Sequence, residues 1–229
     1  MIYRNINLNW LGHSSFVIES DLGKIYIDPY KLDLGEEEAF NTSEKAAVIF
    51  ITHSHYDHCS IEDIRKIVKD GTIIICTPDA FSKLGHIDKK IDVKIAEPGT
   101  TMEFFDSRLR FWAVHAYNIN KNFHTREDDW NGYIIQIDDT KIYHAGDTDL
   151  IPEMKTLEGI DIDIALLPVG GGFTMNAGEA AKAAQLIKPK IAIPMHYGTL
   201  SNTGSRSEAD IFAKYCSQNA IEVKILEKN

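Results

Sequence analysis

The sequence predicts an α/β fold in which two mixed sheets pack face to face with helices outside. Three observations predict it. Residues 46–84 alternate strand, helix, strand, helix. Residues 91–144 read almost wholly as strand, joined by hairpins. From residue 161 the alternation of strand and helix resumes. Each half of the chain thus mixes strands with helices, and a single domain over 1–229 is the simpler organisation. Hydrophobic residues make up 44% and charged residues 25%, an ordinary globular balance that can fill a sizeable core.

The elements follow in order. Residues 5–28 read as three short strands, with Asp21-Leu22-Gly23 as a hairpin turn and Pro29 ending the third. Residues 31–45 carry Glu36-Glu37-Glu38 and read as a solvated loop or short helix. Ala46 to Ile51 is an apolar run, expected to be a buried strand. Ser60 caps a helix reaching about Asp70, with Ile61, Ile64, Ile67 and Val68 on one face and Gly71 after it. Thr72 to Cys76 is a strand, and Pro78 to Leu84 a short helix ended by Gly85. Five strands are expected over Ile91–Ala96, Met102–Asp106, Arg108–Ala116, Gly132–Asp138 and Lys141–His144. Tyr117 to Trp130 is a long polar loop with embedded aromatics, a length that usually carries function. Asp161 to Pro168 is a strand. Asn176 caps a helix to about Lys188, with Ala180, Ala183, Ala184 and Ile187 on one side. Lys190–Pro194 is a strand, Ser207–Gln218 a helix and Ile221–Leu226 a last strand.

Charge and composition exclude some functions. The net charge is −10, from 24 basic and 34 acidic residues, which disfavours general nucleic-acid binding. No segment approaches the apolar length needed to cross a bilayer, and the first residues lack a signal-peptide pattern, so a cytoplasmic protein is expected. Cys59, Cys76 and Cys216 are odd in number and far apart, so no disulfide framework is implied. Cys59 reads as a small buried residue rather than a ligand.

The chemistry centres on Thr52-His53-Ser54-His55-Tyr56-Asp57-His58, at the carboxyl end of the Ala46–Ile51 strand and just before a helix. Open α/β folds place their sites at such ends. Imidazole and carboxylate are preferred ligands of zinc and related ions. Residues two apart in extended chain point to one side, so His53 and His55 can grip one ion, while Asp57 and His58 on the turn can face a second. His115, Asp147 and His196 each end an apolar strand and would complete a paired site. His13 after Gly12, together with Tyr117 and His124 of the long loop, are candidates to hold substrate. Asp28, ending a strand, reads either as a turn-former or as the carboxylate that orients a ligand histidine.

These motifs resemble the metallo-β-lactamase superfamily. Thr52 to His58 matches its signature of histidine, any, histidine, any, aspartate, histidine. Gly12-His13-Ser14-Ser15, His144-Ala145-Gly146-Asp147-Thr148 and Pro194-Met195-His196-Tyr197-Gly198 look like its ascorbate-6-phosphate-lactonase-like branch. The resemblance implies a four-layer αβ/βα sandwich and two divalent ions. It implies that His53, His55 and His115 bind the first ion, that Asp57, His58 and His196 bind the second, and that Asp147 bridges them. It supports the orienting role of Asp28. Oxygen-reducing di-iron members carry glutamate where this chain has His55, and an imidazole-rich set suits zinc better than iron, with manganese also open. The implied activity is hydrolysis by a metal-activated water, with Asp57 taking the proton. The implied substrate is a small molecule, a sugar or sugar-phosphate lactone or a phosphodiester. The competing expectations are iron redox chemistry and a non-catalytic metal-binding module. Relatives of this branch often form homo-oligomers, but no surface in the sequence identifies an interface.

Overall fold

The computed structural model describes residues 1–34, 45–85, 87, 89–119, 121–200 and 203–229. The acidic Glu36–Glu38 stretch lies outside the described residues. The chain divides into two compact units, Met1–Ala96 with Glu227–Asn229, and Glu97–Leu226.

The first unit is built on a seven-stranded sheet in sequence order: β1 (Ile2–Tyr3), β2 (Ile6–Gly12), β3 (Ser15–Ser20), β4 (Gly23–Ile27), β5 (Ala46–Phe50), β6 (Ile73–Cys76) and β7 (Asp92–Ile95). β1 to β4 are joined antiparallel and β4 to β7 parallel. Parallel neighbours need crossovers. Among the described residues these include α1 (Ile61–Ile67) between β5 and β6, and α2 (Pro78–Leu84) between β6 and β7. The predicted face of α1 is the buried one: Ile64, Ile67 and Val68 are enclosed with Ile49, Ile51, Ile74, Ala80 and Leu84. Each of these Ile, Val and Leu side chains contributes about 1.5–3 kcal/mol relative to exposure. α1 stops at Ile67, three residues before the expected Asp70. The cause is tertiary. Thr72 Oγ1 accepts from Lys69 N at 3.0 Å and donates to Ala46 O at 2.7 Å, drawing the chain out of the helix towards β5.

The second unit repeats the plan. Its sheet runs β8 (Thr101–Phe104), β9 (Leu109–His115), β10 (Asn131–Ile137), β11 (Thr140–His144), β12 (Ile164–Pro168), β13 (Ile191–Met195) and β14 (Glu222–Val223), again in sequence order. β8 to β11 are antiparallel and β11 to β14 parallel. A 3-10 helix (Pro152–Ile160), α3 (Ala177–Ile187) and α4 (Arg206–Ser217) make the crossovers. Asn176 and Glu179 form the cap of α3, whose Ala180, Ala183, Ala184 and Ile187 are buried as predicted. The 3-10 helix was not expected. Strand β14 keeps only two of the six predicted residues. Two mixed seven-stranded sheets, each with helices, are the content expected of the αβ/βα fold. Among the described residues no helix is long and apolar enough to cross a membrane.

Cys59, Cys76 and Cys216 are buried, and burial pushes each thiol up from an ordinary 9.0 to about 12. A thiolate is the reactive form. A disulfide-exchange reagent at pH 8 is therefore expected to label all three in denaturant and none within minutes in the native protein. The folded pKa values lie above the unfolded ones. The stability these thiols contribute is complete below about pH 9 and is lost as pH rises towards 12. Chemical denaturation at pH 7, 9 and 10.5 checks the sign.

Candidate metal centre

In the first unit the cluster begins where β4 and β5 end side by side. Asp28 N donates to Phe50 O at 2.9 Å, which sets Asp28 beside Thr52. The buried Asp28 carboxylate then accepts three hydrogen bonds. Oδ1 takes Thr52 N at 2.8 Å. Oδ2 takes the Thr52 hydroxyl and His58 Nδ1, each at 2.7 Å. Because the Thr52 hydroxyl gives its proton to Asp28, its oxygen accepts from His53 Nδ1 at 3.0 Å. Both rings thus carry their hydrogen on Nδ1, and each presents the Nε2 lone pair. The two rings lie 4.1 Å apart, and His55 stands edge-on to His53 at 4.8 Å.

Asp57 lies 3.9 Å from His58 Nε2 and 3.0 Å from His13 Nε2 through its Oδ2. His13, Asp57 and His58 each offer a ligand atom within 4.8 Å of the others. Two ligands on one tetrahedral zinc sit about 3.3 Å apart, since each bond is about 2.0–2.1 Å. The Asp57–His58 separation is compatible with two ligands of one ion, the shorter His13–Asp57 contact is a hydrogen bond, and the imidazole–carboxylate donor set fits a borderline divalent ion. The sequence reading offered His13 as a substrate contact. The structure sets it against Asp57, fully buried and edge-on to Tyr30 at 5.9 Å. Cys59 is buried, as expected.

In the second unit two of three neighbouring parallel strands bring candidate ligands to one sheet edge. β11, β12 and β13 are parallel, so Asp147 after β11 and His196 after β13 leave the sheet at the same end. His196 Nε2 lies 3.1 Å from Asp147 Oδ2. His124 Nε2 lies 3.6 Å from the same oxygen. His124 Nδ1 lies 3.1 Å from Phe173 O and from Asn118 Nδ2; with its proton directed to the carbonyl, the ring presents its Nε2 lone pair. The turn that carries Asp147 is fixed by Gly146 N donating to His144 Nδ1 at 3.2 Å and by the Thr148 hydroxyl donating to Tyr117 O at 3.0 Å. His144 is thereby a buried turn-former.

The structure places three more of the expected site residues. His124, read as a substrate contact, stands in the ligand cluster of this unit. His115, the histidine that the resemblance assigned to the first ion, is in none of the ligand groups found among the described residues. It lines a mostly apolar cavity of about 290 Å³ with Val114, Tyr143, Ile151 and Leu157. Tyr117, read as a substrate contact, has its hydroxyl engaged: it donates to Glu153 and accepts from Arg126, both at 2.9 Å. Burial and then the Glu153 carboxylate push this phenol above its ordinary pKa, so it keeps its proton.

Four residues of the clusters adopt left-handed backbone: His13 (φ 54°), Asp28 (φ 45°), His124 (φ 53°) and His196 (φ 59°). This costs a residue with a Cβ on the order of 1 kcal/mol each, and such strain gathers at functional sites. The turn at His196 is shaped by Gly170. A Cβ there would lie 2.2 Å from His196 O and 2.7 Å from Thr203 O. Gly170→Ala is expected to cost about 2–4 kcal/mol and to displace His196. Thermal melts with and without added zinc measure both effects.

A family model described as a beta-lactamase superfamily domain matches residues 7–196. The chain belongs to the beta-lactamase superfamily. It is 34% identical over 199 residues to a UPF0173 metal-dependent hydrolase of Thermoplasma acidophilum, covering 85% of this chain and 84% of that one. A crystal structure of a candidate metal-dependent hydrolase from Parabacteroides distasonis superposes with a TM-score of 0.81 at 34% identity, covering 98% and 94% of the two chains. A metallo hydrolase from Ignicoccus hospitalis gives 0.80 at 26% identity, covering 98% and 96%. The fold and the relatives are those of metal-dependent hydrolases, and the described residues include clustered His and Asp side chains that could hold a metal ion.

Proposed function

We propose that this chain is a hydrolase that works with two divalent ions, most simply zinc, held by His53, His55, Asp57 and His58 of the first unit and by His124, Asp147 and His196 of the second. The observation that carries the reading is the anchoring of His53 and His58. Asp28 and Thr52 hold both Nδ1 atoms, and so commit both Nε2 lone pairs to a cation. When bound, such ions supply Lewis acidity and bring the pKa of water towards about 7.

The chain's own residues supply the rest. Asp57, steadied by His13, takes a proton from the attacking water. The water oxygen adds to the carbonyl carbon, the ester C–O bond breaks, and the proton held by Asp57 passes to the departing alkoxide. One water is consumed, and a lactone yields a hydroxy acid. A cyclic ester of a sugar or sugar phosphate is the first class to assay, on the strength of the Gly12–Ser15 and Pro194–Gly198 motifs. Phosphodiesters are the second.

The test is a panel of lactones and phosphodiesters with zinc- or manganese-loaded protein and Asp57→Ala as control. Turnover is expected on a lactone, lost in a chelator and restored by metal. Absence of turnover on both classes would overturn the reading. Metal analysis of protein purified without additions is expected to find zinc in excess of iron. Iron with a visible absorption band would favour redox chemistry instead.

A further inference from the structure

The loop that carries His124 leaves two large apolar side chains to solvent. Ile119 is 42% and Phe123 52% exposed. Phe123 stands edge-on to Phe173, with ring centroids 5.0 Å apart. These side chains are held in place. Asn118 Nδ2 and His124 Nδ1 both donate to Phe173 O, at 2.7 and 3.1 Å. Ile119 N donates to Asp149 Oδ2 at 2.8 Å. The apolar group therefore sits beside a ring whose Nε2 is 3.6 Å from Asp147.

The charges of the same loop point the same way. A phosphate-bearing substrate is normally met by Lys or Arg. Here Lys121 is taken up by Asp149, and Arg126 by Glu153 and Tyr117. The first unit shows an independent case of the same kind. The residue before Asp57 is Tyr56, 63% exposed, with its ring edge-on to Tyr30 at 5.8 Å. Apolar and aromatic surface exposed beside polar chemistry marks a place for a ligand's apolar part.

We infer that Ile119, Phe123 and Phe173 form a shelf for an apolar side chain of the substrate, so that the ester or lactone hydrolysed carries an alkyl or aryl group rather than a phosphate. This rests on the hydrolase reading above. One methylene in an apolar site is worth about tenfold or more in discrimination, and several accumulate.

The experiment has two arms. In the first, kcat and KM are measured for γ-lactones with methyl, butyl, hexyl and phenyl side groups and for a phosphorylated lactone. The expected result is a kcat/KM at least about tenfold higher for hexyl than for methyl, carried by KM. Phe123→Ser with Ile119→Ser is expected to narrow that ratio about tenfold, and Phe123→Leu to restore part of it. In the second arm, calorimetry compares octanoate with acetate on the metal-loaded protein. Octanoate is expected to bind at least tenfold more tightly, and the double variant to lose the difference. A flat lactone series, preference for the phosphorylated lactone, or an unchanged ratio in the variant would overturn the inference. So would a variant that dissociates an oligomer and leaves the ratio intact, since the patch would then join copies of the chain. No turnover at all, with octanoate binding still lost in the variant, would sink the hydrolase reading and keep the shelf.

Discussion

Asp57→Ala is expected to lower kcat by about 10²–10⁴-fold, the range for removal of a general base. The carboxylate touches two groups of different kinds. His13 Nε2 is 3.0 Å from its Oδ2, and His58 Nε2 is 3.9 Å away. The short contact is a hydrogen bond that holds the carboxylate still. The long one is too far for a hydrogen bond and suits two ligands of one ion. Removal of the side chain therefore does two things, and metal content separates them. If Asp57→Ala retains both equivalents of zinc by elemental analysis, the lost rate belongs to the missing base. If zinc falls to one equivalent, the loss belongs to coordination. Unchanged kcat with unchanged metal would remove Asp57 from the mechanism. His13→Gln, which keeps a donor beside Asp57, is expected to cost much less than Asp57→Ala.

Asp28→Asn carries the second large effect, although Asp28 lies behind the ligands. Its two oxygens accept from Thr52 N, the Thr52 hydroxyl and His58 Nδ1. An amide of the same shape has one acceptor and one donor. Its NH2 group would face the Thr52 hydroxyl and the His58 ring, both of which donate to Asp28 in the native protein. One of them must turn, and either change releases an Nε2 from its aim. Metal affinity is expected to fall about 10–100-fold, the usual cost of losing an orienting carboxylate. The unfilled donors are buried, so a further loss of about 1–3 kcal/mol in stability is expected even without metal. A zinc titration with a competing chromophoric chelator reads the first effect, and a denaturant melt of the metal-free protein reads the second. Native metal affinity in Asp28→Asn would reduce Asp28 to a turn residue.

Much of this was written in the order of residue types. The strands of both sheets could be read because apolar runs and period-two alternation are local signals, and Asp57, Asp147 and His196 each lie a few residues past such a run. The cluster from His53 to His58 was legible for the same reason, and so was Asp28 as its support. Which histidine stands beside Asp147 was not. His115 and His124 belong to one stretch, and which of them meets Asp147 depends on how the loop returns. That path is set by Asn118 N donating to His124 O at 2.7 Å and by the hold of Phe173 O on Asn118 and His124, contacts between residues up to fifty-five apart in sequence. The position of His124 before the Thr125–Asp128 cap was the one local sign that its loop ends in a fixed turn. The early end of α1 was illegible for a like reason, since the competitor for its last turn is Thr72, beyond the helix.

The left-handed backbone at His13, Asp28, His124 and His196 sets the working residues against thermostability. A selection for heat resistance alone would reward glycine at these four positions, because glycine relaxes the torsion at no steric cost. Each such gain would erase a side chain of the proposed site or of its support. Variants evolved for a higher melting point are thus expected to drift towards inert, tightly folded chains unless turnover is screened alongside.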